Sequence, residues 1–187
     1  MRYAPCMHIF ETARLRLRPI GERDEALYSR LYTDPLVMHF IAPALSQEVA
    51  RRSFGVALRQ QARHPQRWIL AERCSGSDVG MVALVGEDDG PEIGVMVLVE
   101  FHGLGYGHEA MAALVDRAFA AARLTSITAR QSVVDNPTVA RMMLALGFAP
   151  VPPTPERPAG GDWVMQRADW RRSGRASLSV ATGKGSG

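Results

Sequence analysis

Only two cysteines, Cys6 and Cys74, occur in the 187 residues; they lie far apart and in no metal-ligand spacing, and the five histidines form no cluster. A disulfide scaffold and a Cys/His metal centre are therefore not expected, and a reducing cytoplasmic setting is. No apolar run is long enough to span a bilayer, and the opening residues lack the apolar core of a signal peptide, so no membrane association is expected. A large charge excess is missing as well: the formal net charge is +3. That favours an anionic ligand but is too mild for nucleic acid, and no basic stripe interleaved with aromatics supports such a partner. Arg14, Arg16 and Arg18 alternate with Leu15 and Leu17, the pattern of a strand with one solvated face. Internal repeats are absent.

What is present is an ordinary globular composition, 47% hydrophobic and 22% charged, at a length that suits one domain with a proper core. That domain is expected over residues 1–172. The Ser/Gly/Ala/Lys-rich stretch Ser173–Gly187 reads as a disordered tail.

Along the chain, Met1–Glu11 reads as an irregular lead-in and Thr12–Pro19 as an amphipathic strand. Arg23–Thr33 has helical periodicity and ends before Asp34-Pro35. Leu36–Pro43 is an apolar connector, and Ser46 is an N-cap for a helix running to about Arg63. Three strands follow in close order, Arg67–Arg73, Val79–Val85 and Glu92–Val99, and connections this short make them antiparallel neighbours. A helix to Arg123 and a Thr/Ile/Val-rich strand over Thr125–Val134 complete a crossover, so the strands that flank it are expected parallel. Asn136 and Pro137 open another helix that Gly147 stops. Phe148–Val151 and Asp162–Arg167 read as strands around a proline-rich loop.

The organising stretch runs from Glu92 to Ala122. An apolar strand enters a turn holding Gly103, Gly105 and Gly107, and a helix leaves it with Ala110, Met111, Leu114, Val115, Ala118 and Phe119 on one face. Strand, glycine turn and helix start aim bare backbone N–H groups at one spot. The helix N-terminus is partially positive there, and such a spot binds phosphates. The glycines let a diphosphate approach without meeting a Cβ.

Two segments carry a family resemblance. His102-Gly-Leu-Gly-Tyr-Gly-His-Glu-Ala110 resembles the acyl-CoA pyrophosphate loop of the GNAT acetyltransferases, Gln/Arg-x-x-Gly-x-Gly/Ala, and Asn136 to Phe148 resembles the Asn-x-x-Ser…Gly-Phe helix that follows it. The opening Glu-Thr-Ala-Arg-Leu-Arg-Leu-Arg-Pro19 and the late Asp162-Trp-Val-Met resemble the Rim-type branch, which acetylates ribosomal-protein N-termini. Three positions depart from the pattern. His102 replaces Gln or Arg, Val139 stands where the branch often has Ser, and Met143 stands where many relatives have a Tyr that protonates the departing thiolate.

The resemblance implies an α/β fold of the α+β type: a mixed, mostly antiparallel sheet with splayed middle strands, flanked by helices. It implies acetyl-CoA as co-substrate, no metal, and transfer of its acetyl group to a primary amine. The amine attacks the thioester directly. The cofactor-binding set is expected to be His102, Gly103, Leu104, Gly105, Tyr106, Gly107 and His108 at the diphosphate, with Val97, Val99 and Asn136 along the pantetheine arm. Val97 and Val99 would hold the arm as an added strand. Asn136 is equally an N-cap, and Glu109 reads as structural. Glu92 is the expected base, acting through a water, with Asp88 and Asp89 as second choices; all three are otherwise solvated hairpin carboxylates. The acceptor is a protein N-terminus or a small-molecule amine such as a polyamine or antibiotic. Leu36–Pro43, the second helix and Pro152–Gly161 are the acceptor loops, and the chain acts as a monomer or homodimer. A non-catalytic acyl-CoA-binding module is the alternative. A dinucleotide oxidoreductase is disfavoured, because the Gly-x-Gly-x-x-Gly spacing is missing and the turn follows an antiparallel meander.

Overall fold

A computed structural model describes residues 9–63, 66–86, 90–121, 124–131, 136–153, 155 and 161–172. Eight strands form one sheet in the order β1-β2-β3-β4-β5-β6-β8-β7. They are β1 (Phe10–Glu11), β2 (Leu15–Pro19), β3 (Arg67–Glu72), β4 (Asp78–Val85), β5 (Glu92–Val97), β6 (Ser126–Arg130), β7 (Ala149–Pro150) and β8 (Asp162–Gln166). All neighbours are antiparallel except β5 and β6, the pair joined by the long crossover helix. The sheet is the expected α+β arrangement.

Alternation along each strand makes two cores. Leu15 and Leu17 of β2, Trp68 and Leu70 of β3, and Val82 and Leu84 of β4 face α4 (Tyr106–Ala121), which buries Ala110, Met111, Leu114, Val115, Ala118 and Phe119 against them. These are the apolar positions that the helical spacing selects. On the other face Ile69 and Met81 pack with Tyr28 and Leu31 of α1 (Glu25–Thr33) and with Phe54 and Ala57 of α3 (Gln47–Arg63). A short helix α2 (Pro35–Met38) joins α1 to α3, and Asp34 caps it through the Leu36 N–H. Ser46 Oγ accepts the Val49 N–H at the start of α3.

α5 (Pro137–Leu146) opens on Asn136 and closes on Gly147, whose φ of 91° is the left-handed value a helix stop requires. Asn136 Oδ1 accepts the Thr138 and Val139 N–H groups at 3.0 and 3.4 Å.

Several boundaries differ from the sequence reading. Phe10–Glu11 is a strand rather than an irregular lead-in, because its residues pair with β2. The Glu92–Val99 strand stops at Val97, since Val99–Phe101 winds into a 3-10 turn in which the His102 N–H reaches the Val99 carbonyl at 3.0 Å. A final helix, α6 (Arg167–Arg172), has no counterpart in that reading. Tertiary contact holds it: Trp170 is buried, stacks 5.3 Å from Phe119 and donates its Nε1–H to Asp116 at 2.8 Å. Asp88, Asp89 and Ser173–Gly187 lie outside the described residues.

β5 is held close to β4. A Cβ on Gly80 would sit 2.3 Å from the Met96 carbonyl oxygen, a backbone atom that cannot move aside. Gly80→Ala is expected to lower stability by about 1–3 kcal/mol, the usual cost of overpacking, as read from urea unfolding.

Candidate active site

β5 has two unlike neighbours. In an antiparallel pair, alternate residues turn both their N–H and C=O toward the same partner. The Leu98 N–H bonds the Val79 carbonyl at 2.9 Å, and Met96, Gly94 and Glu92 fall in the same phase opposite Met81, Ala83 and Val85. Val95 and Val97 therefore turn their polar groups the other way, toward β6. There β6 is in register only at Glu92 with Thr128, where the Thr128 N–H reaches the Pro91 carbonyl at 2.9 Å. Beyond that point the described residues show no ladder, and the two parallel strands form a fork. Val95 was not among the residues singled out from the sequence, although its two-residue spacing from Val97 is the signal that finds it.

The open end of the fork leads into the glycine turn. Gly103 and Gly105 have φ of 78° and 80°, which only glycine adopts without strain. The first intrahelical bond of α4 runs from the Glu109 N–H to the Gly105 carbonyl at 3.1 Å. The N–H groups of Tyr106, Gly107 and His108 precede it and point out of the helix start. Gly107 sits directly over the fork: a Cβ there would lie 3.6 and 3.7 Å from the Val95 and Val97 side chains. The glycine turn and the strand edge, both singled out in the sequence, are adjacent in the structure.

Around this cradle the side chains have structural roles. Tyr106 is buried, its ring packs near Phe101 and under the Arg14 guanidinium, and its hydroxyl donates to Glu72. Hydrogen bonds from Ser75 and then Tyr106 hold the Glu72 carboxyl below its ordinary value, and the same Tyr106–Glu72 bond raises the phenol. Arg14 donates to the Leu104 carbonyl at 2.7 Å and to Glu109 at 2.7 Å through its side chain and 2.9 Å through its backbone. Thr12 also donates to Glu109. This clasp ties β2 to the turn. Leu104 is half exposed.

His102 lies at the mouth of the fork, with Nε2 2.8 Å from the Val97 carbonyl. A carbonyl only accepts, so Nε2 carries the proton. Val99 lies in the 3-10 turn, not on the strand. Glu92 sits at the closed end, ion-paired with Arg130 of β6 at 3.1 Å and partly exposed. Asn136 is buried at the start of α5, its Oδ1 acting as the N-cap. Met143 is buried and Val139 packs against the same core. Among the described residues, no group of three or more His, Cys, Asp or Glu side chains is placed to hold a metal ion, and no helix is long and apolar enough to cross a membrane.

A family model described as the acetyltransferase (GNAT) domain matches residues 14–149. No curated protein sequence matches the chain. Solved structures of similar fold include an acetyltransferase from Agrobacterium tumefaciens at TM-score 0.73 and 21% identity, covering 84% of this chain and 94% of that one. The spermidine N-acetyltransferase from Vibrio cholerae, in complex with CoA and spermine, aligns at TM-score 0.70 and 16% identity over 86% of this chain and 99% of that one. RimL, a ribosomal α-N-protein acetyltransferase in complex with coenzyme A, aligns at 0.69 and 14% over 85% and 98%. At these identities the likeness is one of fold.

The clasp has a pH signature. Burial pushes the Glu109 carboxyl up, but hydrogen bonds from Thr12 and from the Arg14 backbone and guanidinium outweigh it, and the net shift is downward. A depressed carboxyl stabilises the fold above its unfolded value and loses that contribution as pH falls through the folded one. Glu109→Gln should cost about 2 kcal/mol at pH 7, the order expected for charge-assisted hydrogen bonds. In denaturant titrations the gap should narrow below about pH 4, where carboxylates protonate.

Proposed function

The chain belongs to the GNAT acetyltransferase family, and on that premise we propose that it transfers the acetyl group of acetyl-CoA to a primary amine, a protein N-terminal α-amine in particular. The observation that carries this reading is the fork. A strand edge with the amide groups of Val95 and Val97 turned outward runs directly into a glycine turn at a helix N-terminus.

The diphosphate is held by main-chain N–H groups from Gly103 to His108, supported by the partial positive charge of α4. The pantetheine amides pair with Val95 and Val97 as an added strand, with Val99 and His102 at the mouth and Asn136 alongside. An outward N–H of β5 polarises the thioester carbonyl. The amine attacks that carbonyl carbon and gives up its proton to Glu92 through a water, and the carbon–sulfur bond breaks to release CoA as thiolate. An ordinary thiol pKa of ~8.5 makes it a fair leaving group. That suits a site with Val139 and Met143 in place of hydroxyl residues.

Two neighbours frame the acceptor question: one is named for spermidine, the other for a protein α-amine. An α-amine, with a pKa near ~8, is partly unprotonated at neutral pH; a lysine-like or polyamine nitrogen near ~10.4 needs more help from a base. The absence of hydroxyls at 139 and 143 keeps a non-catalytic acyl-CoA-binding module as the second reading, and turnover decides between them.

Purified protein with acetyl-CoA is expected to release free thiol against N-terminal peptides; no release against peptides, polyamines or aminoglycosides would refute catalysis. Gly105→Glu should abolish acetyl-CoA binding by calorimetry, because it adds a strained side chain and a like charge to the cradle. Glu92→Gln should lower kcat by about 10²–10⁴-fold, the usual share of a general base, with the acetyl-CoA Kd unchanged.

A further inference from the structure

Resting on that reading, we infer that Arg14 is a positioning residue for acetyl-CoA: by holding the Leu104 carbonyl, it turns the Gly105 N–H toward the diphosphate. Arg14 thereby sets cofactor affinity through the orientation of one peptide plane, not through its own charge.

The peptide that joins Leu104 to Gly105 is planar and trans, so its C=O and N–H point in opposite directions. Arg14 Nη1 donates to the Leu104 carbonyl at 2.7 Å. The Gly105 N–H therefore leaves the other side of that plane, away from Arg14, and no backbone carbonyl among the described residues accepts it. The N–H groups of Tyr106, Gly107 and His108 follow it at the open start of α4. Successive N–H groups in a turn of this kind make a concavity for anions.

Glycine alone does not fix the sense of that plane. Turning it over changes ψ of Leu104 and φ of Gly105, and glycine takes φ of either sign at little cost. Gly105 sits at φ 80°. The reversed plane would present the Leu104 carbonyl to the phosphoryl oxygens, an acceptor facing anions. A donor on the carbonyl's side decides between the two, and Arg14 is that donor.

Arg14 is itself held. Its Nε donates to Glu109 Oε2 at 2.7 Å and its backbone N–H to Oε1 at 2.9 Å, and the Thr12 hydroxyl reaches the same Oε1. The guanidinium lies 4.7 Å from the Tyr106 ring centre, and a Cβ on Gly105 would be 3.4 Å from Nη2. One planar fork thus spans Glu109 and Leu104, a geometry that a lysine ammonium does not reproduce. The Arg14 charge is matched by Glu109, so orientation is what Arg14 contributes. The Tyr106 hydroxyl is held separately by Glu72. Loss of Arg14 therefore frees the Leu104–Gly105 peptide and leaves the start of α4 in place.

The test uses the full chain labelled with ¹⁵N-glycine. Acetyl-CoA should move the Gly105 amide proton downfield in the parent, while Gly80, buried in β4, reports the fold. Arg14→Met should raise the calorimetric Kd for acetyl-CoA about tenfold, the order of one charge-assisted hydrogen bond. It should also abolish the Gly105 shift and leave the Gly80 amide at its parent position. Arg14→Lys keeps the charge and loses the fork, so it should recover less than half of the lost affinity. An Arg14→Met Kd within about threefold of the parent, full recovery by Arg14→Lys, or a displaced Gly80 amide overturns the inference. So does a parent that binds acetyl-CoA with the Gly105 amide unmoved, whereas a parent that does not bind acetyl-CoA overturns the reading beneath it as well.

Discussion

β5 is paired along its whole length on one side; on the other, the described residues show one paired position with β6 and the Val97 carbonyl accepting from His102. Its ladder with β4 is continuous from Glu92 to Val97, whereas its register with β6 is a single position. A central strand with unmatched amides is costly unless something else pairs with them. In an edge strand the same groups would recruit another chain. Here they lie inside the sheet, between two strands that diverge, so what fits is narrow, extended and amide-bearing. The helix start and the glycine turn lie at the open end because the crossover from β5 to β6 must begin there. Placement of the cradle is thus a consequence of the topology.

Electrostatics follow the same plan. Arg14, which donates to the Leu104 carbonyl of the turn, is paired with Glu109, so the clasp adds little net charge there. The positive end of α4 and its unpaired N–H groups are left as the local attraction for an anion. His102, where relatives carry Gln or Arg, faces the strand carbonyl instead of the turn.

Much of this is legible in the sequence. Period-two alternation in β2 and helical spacing in α4 reported the core face correctly, and Asn136, Pro137 and Gly147 marked both ends of α5 because caps depend on local chemistry alone. The missed features depend on distant partners. Nothing within Arg167–Arg172 announces a helix; it exists because Trp170 finds Phe119 and Asp116. Val99 looked like the next strand residue, but Leu98 turns the chain there and the apolar pattern continues into a 3-10 turn. The space beside Gly94 is a property of register between strands, joined by turns whose exact pairing the sequence leaves open.

The Arg14–Glu109 clasp joins residues 95 positions apart. Contacts of such span form late, because a long loop must close before they reward the chain. A ribosome-bound chain that has emitted β2 must hold that edge unlatched until α4 emerges. The glycine turn is consequently locked in place only after α4 has emerged, and its completion reports that the first and middle thirds of the polypeptide have found each other.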